Sequence, residues 1–405
     1  MPRQGMGTAG ENFLGVTGRA RGFQIALVAV LVLSAGLIPA SGAAVNKSKN
    51  VTVVARFPYK GGTELAFDGK HVFAGQLDGH TGRSQAGFEK QGGMFVFDAT
   101  GRPRKLGFMS CAGNDNDVAV IRPGLVVLGY HENKCGAGEG FVTVNTRNPA
   151  RPKILDQAKT VASHTITRFP GKPLVYVNAG GISYGGGTES IVDISDPRKP
   201  KVIREWKPTP LGCHDVTFHI TKKRKLGFCA GTEDIQIWDV SNSRKPETIA
   251  HIANPAIQFA HYALASPDGK LLVIDDEAFA AHECVTGNSL FGSLWFYDIS
   301  DPTTPVPVGK FAPPRGREPV GQEVDGTSSW CTSHHYNFVP KTRKLVVSWF
   351  SGGTNVLDLK DPTRPKEIAH YQPADANAYT AHYFGGRIYV NDMHRGLEVL
   401  KVKGL

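Results

Sequence analysis

Five histidines occupy matching places in an internal repeat: His164, His214, His261, His335 and His382, in the stretches SHTIT, CHDVTF, AHYALA, HHYNF and AHYFG. The chain has 14 His in 405 residues, so recurrence at one repeat position is far above chance placement. Neutral imidazole suits Zn, Cu, Fe or Ni and binds at about 2.0–2.1 Å. Such side chains therefore share an ion only if the fold carries them to one point. A repeat that closes into a circle does this without contortion. The expected cofactor is a transition metal ion, Fe, Cu or Zn, on these five residues. Two further repeats carry Thr63 and Asn116 instead. Both are poor ligands, so one side of the centre would stay open, as a catalytic metal requires.

The residues that follow bear on the same chemistry. They are Glu64, Asp117, Thr165, Asp215, Tyr262, Tyr336 and Tyr383. Glu64, Asp117, Asp215, Tyr262, Tyr336 and Tyr383 are candidates to orient the imidazoles from behind. For Asp117 and Asp215, turn formation and packing between repeats is the competing role. His131, Glu132, Glu277, His282, Asp392 and His394 fall in nearby loops. A repeat could also keep its histidine as a structural hydrogen-bond partner, which explains the recurrence without a metal.

The elements that position these residues follow from the repeat. Its clearest copies are SIVDISDPRKPKVI (190–203), IQIWDVSNSRKPETI (235–249), LWFYDISDPTTPVPV (294–308) and TNVLDLKDPTRPKEI (354–368). Alternating apolar residues before each Asp predict a strand, and the Pro-rich segment after it predicts a turn. These residues resemble the LVIVD repeat, a β-propeller repeat family of exported proteins, over most of 51–403. The resemblance implies a fold and no single activity. The aligned Asp98, Asn145, Asp193, Asp239, Asp298 and Asp358 recur at the length of a four-stranded blade. We expect an all-β fold: a seven-bladed β-propeller over residues 44–405. The final repeat lacks its fourth strand, and VTVVARFP (51–58) reads as the segment that supplies it, closing the ring and removing a free edge.

Residues 1–43 read as a signal peptide. Arg19 and Arg21 precede an apolar run from Phe23 to Ile38 and then a small-residue stretch. The run is short for a membrane span, which needs about 20 residues, so the mature chain is expected to be secreted or held in the cell envelope and not integral to the membrane. Six Cys agree with export. The expected pairs are Cys111–Cys135, Cys213–Cys229 and Cys284–Cys331, because this pairing gives the first two bridges the same topology.

Antiparallel strands in each blade sort residues by face. One face receives the histidines, all six Cys and the long loops 76–93, 276–293 and 312–333. It is the expected site for a small molecule or extracellular partner. The other face receives most of the basic turns of a chain with net charge +10, which read as a solvated turn surface or, alternatively, as a contact for an anionic envelope. No aromatics interleave with these cations, which argues against nucleic acid. No GxSxG, HExxH or phosphate-loop motif occurs, so no catalytic residue is assigned by motif. The function expected is a secreted metalloprotein with a His-lined axial site, with metal-dependent oxidoreductase as the enzyme reading; the alternative is a non-catalytic propeller that binds protein or glycan.

Overall fold

Each repeat Asp closes its own turn. Asp98 Oδ1 accepts from the backbone N–H of Thr100 at 2.9 Å, Asp193 from Ser195 at 2.9 Å, Asp239 from Ser241 at 2.7 Å, Asp298 from Ser300 at 2.8 Å and Asp358 from Lys360 at 2.9 Å. Asn145 does the same for Arg147 at 3.0 Å. The side chain substitutes for a backbone turn bond, so a strand that ends in Asp or Asn is sent back antiparallel.

The computed structural model describes residues 45–77, 92–111, 117–130, 140–160, 163–178, 187–278, 292–315 and 331–405. They form seven antiparallel sheets, which are the blades of a seven-bladed β-propeller. Their innermost strands are Gly62–Phe67, Val118–Arg122, Thr165–Arg168, Asp215–Ile220, Ala260–Ala265, Tyr336–Phe338 and Ala378–Phe384. The seventh blade takes its outer strand from Val51–Phe57, which pairs antiparallel with Gly396–Val402. The expected closure is therefore present. One strand was not anticipated: Val45–Lys47 adds a fifth strand to the sixth blade by pairing with Lys366–Pro373.

The core shows why the blades form a circle. Seven buried apolar clusters among the described residues each straddle two neighbouring blades. One joins last to first, packing Leu65, Val72 and Phe97 with Tyr389, Leu397 and Val399. A blade is apolar on both faces and cannot bury them alone. The second strands show this most strongly: every residue of Leu125–Tyr130 and Leu271–Asp276 is buried. In all seven blades the third and fourth strands carry a bulge. A bulge bends a strand and increases its twist.

Cys213 and Cys229 form the expected disulfide. Cys111 and Cys331 are each disulfide-bonded, but Cys135 and Cys284 lie outside the described residues, as do the proposed signal peptide and most of the three long loops. No helix among the described residues is long and apolar enough to cross a membrane.

Candidate metal centre at the channel mouth

The start of each innermost strand places two successive side chains on the propeller axis. Backbone bonds fix the register: His164 N–H donates to Asn178 O at 2.9 Å, His214 to Ala230 O at 2.7 Å and His334 to Ser348 O at 3.0 Å. These residues are equivalent, and with His261 they form an upper arc of four imidazoles. Thr63 and Tyr379 continue that ring; residue 116 lies outside the described residues. The lower ring is one residue further along: Glu64, Asp117, Thr165, Asp215, Tyr262, His335 and Thr380.

The imidazoles of the arc pack neighbour against neighbour, edge-on or tilted. Ring centroids lie 4.2 Å apart for His164–His214, 4.2 Å for His214–His261 and 4.1 Å for His261–His334. The Nε2 atoms of His164 and His214 approach to 2.5 Å. Two lone pairs that close repel unless a proton or a cation lies between them. The Nε2 atoms of His261 and His334 each lie 3.7 Å from the Glu277 carboxylate. The far nitrogens face the scaffold. His334 Nδ1 donates to Tyr379 O at 2.6 Å, which leaves Nε2 as the free lone pair. His214 Nδ1 lies 3.5 Å from Asp215, and His261 Nδ1 lies 3.5 Å from Asp275. Among the described residues, two groups of side chains have donor atoms within 4.8 Å of one another: His261, His334 and His335, and His214, Asp215 and His261.

Burial separates the protonation states of the two rings. His214 is pulled down to about 4 by burial and then by His164, against the opposing pull of Asp215. Burial, and then the neighbouring imidazoles, hold His261 and His334 well below the ordinary histidine value. These three are neutral at pH 7, the form that binds metal. His335 differs: burial alone would lower it, but Glu64 and Asp215 outweigh burial and raise it well above the usual range. Its Nδ1 is hydrogen-bonded to Glu64, and its Nε2 lies 3.1 Å from Asp215. Burial pushes Asp215 up, but its bonds to His214 and His335 prevail and keep it ionised. Asp117 is driven up by burial and by the negative Glu64 and Asp215, and Asp275 chiefly by burial.

The structure thus brings together His164, His214, His261 and His335 of the expected set and does not bring His382 with them. His382 lies two residues beyond Thr380 and stacks on Phe67, centroids 5.9 Å apart. In its stead the site has His334, the first of the double histidine. Of the expected supporting residues, Asp215 and Glu64 grip His335, and Tyr262 lies against it at 4.9 Å. Asp117 accepts from the backbone N–H of Ile166 and so also ties two blades. Tyr336 is a blade staple, its hydroxyl donating to Val273 O at 2.8 Å. Tyr383 packs in the cluster between the sixth and seventh blades. Of the loop residues, Glu277 belongs to the site, whereas Asp392 caps Asn377 and His394 backbone N–H groups. His131, Glu132 and His282 lie outside the described residues. Asp275 was not anticipated, since it reads as one more residue of an apolar strand.

No family model matches the chain, and no curated protein does. The LVIVD resemblance therefore stands on its repeat residues alone. Solved propellers match the fold. Sqt1 of Saccharomyces cerevisiae is similar with TM-score 0.52 and 9% identity, covering 85% of this chain and 83% of that one. A putative 6-phosphogluconolactonase from Bacteroides uniformis is similar with TM-score 0.54 and 13% identity, covering 80% and 89%. At these identities the likeness concerns architecture.

Proposed function

We propose that this protein is an exported metalloprotein that binds one transition-metal ion at the channel mouth through His164, His214, His261 and His334. One observation carries the reading: the Nε2 atoms of His164 and His214 meet, those of His261 and His334 face Glu277, and oxygens lie near Nδ1 of His214, His261 and His334. The all-nitrogen arc selects Fe, Cu or Zn over Mg or Ca. Glu277 supplies a carboxylate beside His261 and His334, as a ligand or as a base for a bound water. His335 is kept from the ligand set because both its nitrogens are engaged by carboxylates. It would place a fixed positive charge beneath the ion. The disulfides support an oxidising compartment. With a bound ion the site would supply Lewis-acid or redox chemistry to a small molecule that enters from the long-loop face.

The test is metal analysis of protein purified from its own host. The expected result is close to one equivalent of Fe, Cu or Zn, lost in a His214→Ala/His261→Ala double variant and retained in His382→Ala. Metal-free protein whose melting temperature ignores added Fe, Cu and Zn would end the proposal.

A further inference from the structure

On the face opposite the histidines, several arginines are committed within the molecule. Arg244 bonds Asp193 at 2.9 Å, Arg343 bonds Asp268 at 2.7 Å and Arg364 bonds Asp361 at 2.9 Å. Arg224 donates to the carbonyls of Gly269 and Ile299 at 2.9 and 3.0 Å. The second blade and its junction with the third differ. Arg122, Arg147, Arg151, Lys153 and Arg198 are exposed and make no side-chain hydrogen bond or ion pair among the described residues.

Departures from the repeat pattern coincide there. Asn145 stands where the other turns have Asp98, Asp193, Asp239, Asp298 and Asp358, and Asn148 stands where Asp196, Asp301 and Asp361 recur. Asn242 is the same exchange in the fourth blade. Both amides still close their turns, accepting from Arg147 N–H at 3.0 Å and Ala150 N–H at 3.1 Å. The exchange therefore removes two negative charges and keeps the backbone. Arg147 occupies the place held by Thr100, Ser195, Ser241 and Ser300 in four other blades and by Lys360 in the sixth, but Lys360 sits between Asp358 and Asp361, whereas Arg147 sits between Asn145 and Asn148. It lies over Gly124, at φ +81°, where a Cβ would come within 2.8 Å of Arg147 Cγ.

Arg147 lines three adjoining clefts. One holds Arg122, Leu155 and Arg198, the second Asn148, Arg151 and Lys153, and the third Lys70, His71 and Asp68. The one carboxylate among them, Asp68, is bonded to His71 at 2.9 Å. We propose that this track binds a phosphodiester polymer of the cell envelope, with Arg147 at its centre. The guanidinium fork matches phosphate oxygens two at a time. Cations spread over three clefts suit a chain of phosphates rather than one ion. Among the described residues no Phe, Tyr or Trp lines the clefts, so nucleobases would find no aromatic ring there to stack on.

The inference is independent of the metal centre. The experiment titrates the full chain with inorganic polyphosphate by calorimetry at several salt concentrations. Saturable binding is expected. Arg147→Ser, which places there the residue of three other blades, should weaken it by about tenfold, the value of one charged hydrogen-bonding partner. It should also reduce the log–log salt slope by about 1. Asn145→Asp/Asn148→Asp should weaken it similarly with unchanged melting and metal content. Absent binding, or equal binding by both variants, overturns the proposal. So does inorganic phosphate binding as tightly as the polymer, or single-stranded DNA binding more tightly at matched charge.

Discussion

Asp215 Oδ2 lies 3.1 Å from His335 Nε2, and the same carboxylate faces His214 Nδ1 at 3.5 Å. One side chain therefore couples the two rings. Asp215→Asn leaves Glu64 to balance the buried His335 charge without Asp215, and breaking a buried pair costs up to about 3–5 kcal/mol. Chemical denaturation at neutral pH measures this. His335 is raised above its unfolded value and Asp215 lowered below its own. The Asp215 contribution is full above about pH 3.9 and fades as pH falls through its lower folded value. The His335 contribution is full below about pH 6.5 and fades as pH rises through its higher folded value. The variant should lose stability chiefly between those limits; equal loss at every pH would refute the ionic account.

His382 makes an opposite pH prediction. Burial draws it down to about 4, so between about pH 6.5 and that value the unfolded chain holds the extra proton. Stability must fall as the solution is acidified through this window, by roughly 1.4 kcal/mol per pH unit at most from this residue. His382→Phe, which keeps a ring against Phe67, should flatten the acid limb of the stability curve. An unchanged limb would show that other groups set it.

The turn residues can be tested one at a time. Asp193 accepts from Ser195 N–H and from the Ser195 hydroxyl, at 2.9 and 2.6 Å. Asp193→Ala should cost about 1–2 kcal/mol, the range for losing these bonds, whereas Asp193→Asn should keep most of it, as Asn145 does naturally. Urea midpoints compare the two. Equal losses would mean that charge, through Arg244, matters more than turn closure.

Cys213 is joined to Cys229 across 16 residues and directly precedes His214. Replacing both by Ser should cost about 3 kcal/mol on the loop-entropy account. It should also loosen metal binding, because the His214 backbone loses its anchor. Thermal melts and metal titration of the double variant report the two effects separately.

The circle was legible because its signal is repeated: Asp or Asn at the end of six of the third strands, then a turn that usually carries Pro, and a first segment that completes the last blade. The register of the axial ring was less so. In HHYNF either histidine fits an apolar pattern, and only the His334–Ser348 backbone bond shows which is equivalent to His164 and His214. AHYALA and AHYFG look alike, but strand register shifts lie at Ala260–Ala263 and Ala378–Thr380. His382 consequently falls deeper, and Tyr379 takes the ring position. Glu277 and Asp275 gain meaning from atoms of other strands, which no local pattern encodes.

The bulge shared by the outermost strand pair of all seven blades has a consequence for behaviour in concentrated solution. A rim of seven straight, flat borders would offer every molecule templates for lateral growth with its neighbours. Kinked and overtwisted borders cannot zip together over a useful length, so the particle resists fibrillar association without needing a protective cap. The sixth blade, whose border accepts Val45–Lys47, marks where that resistance is locally relaxed.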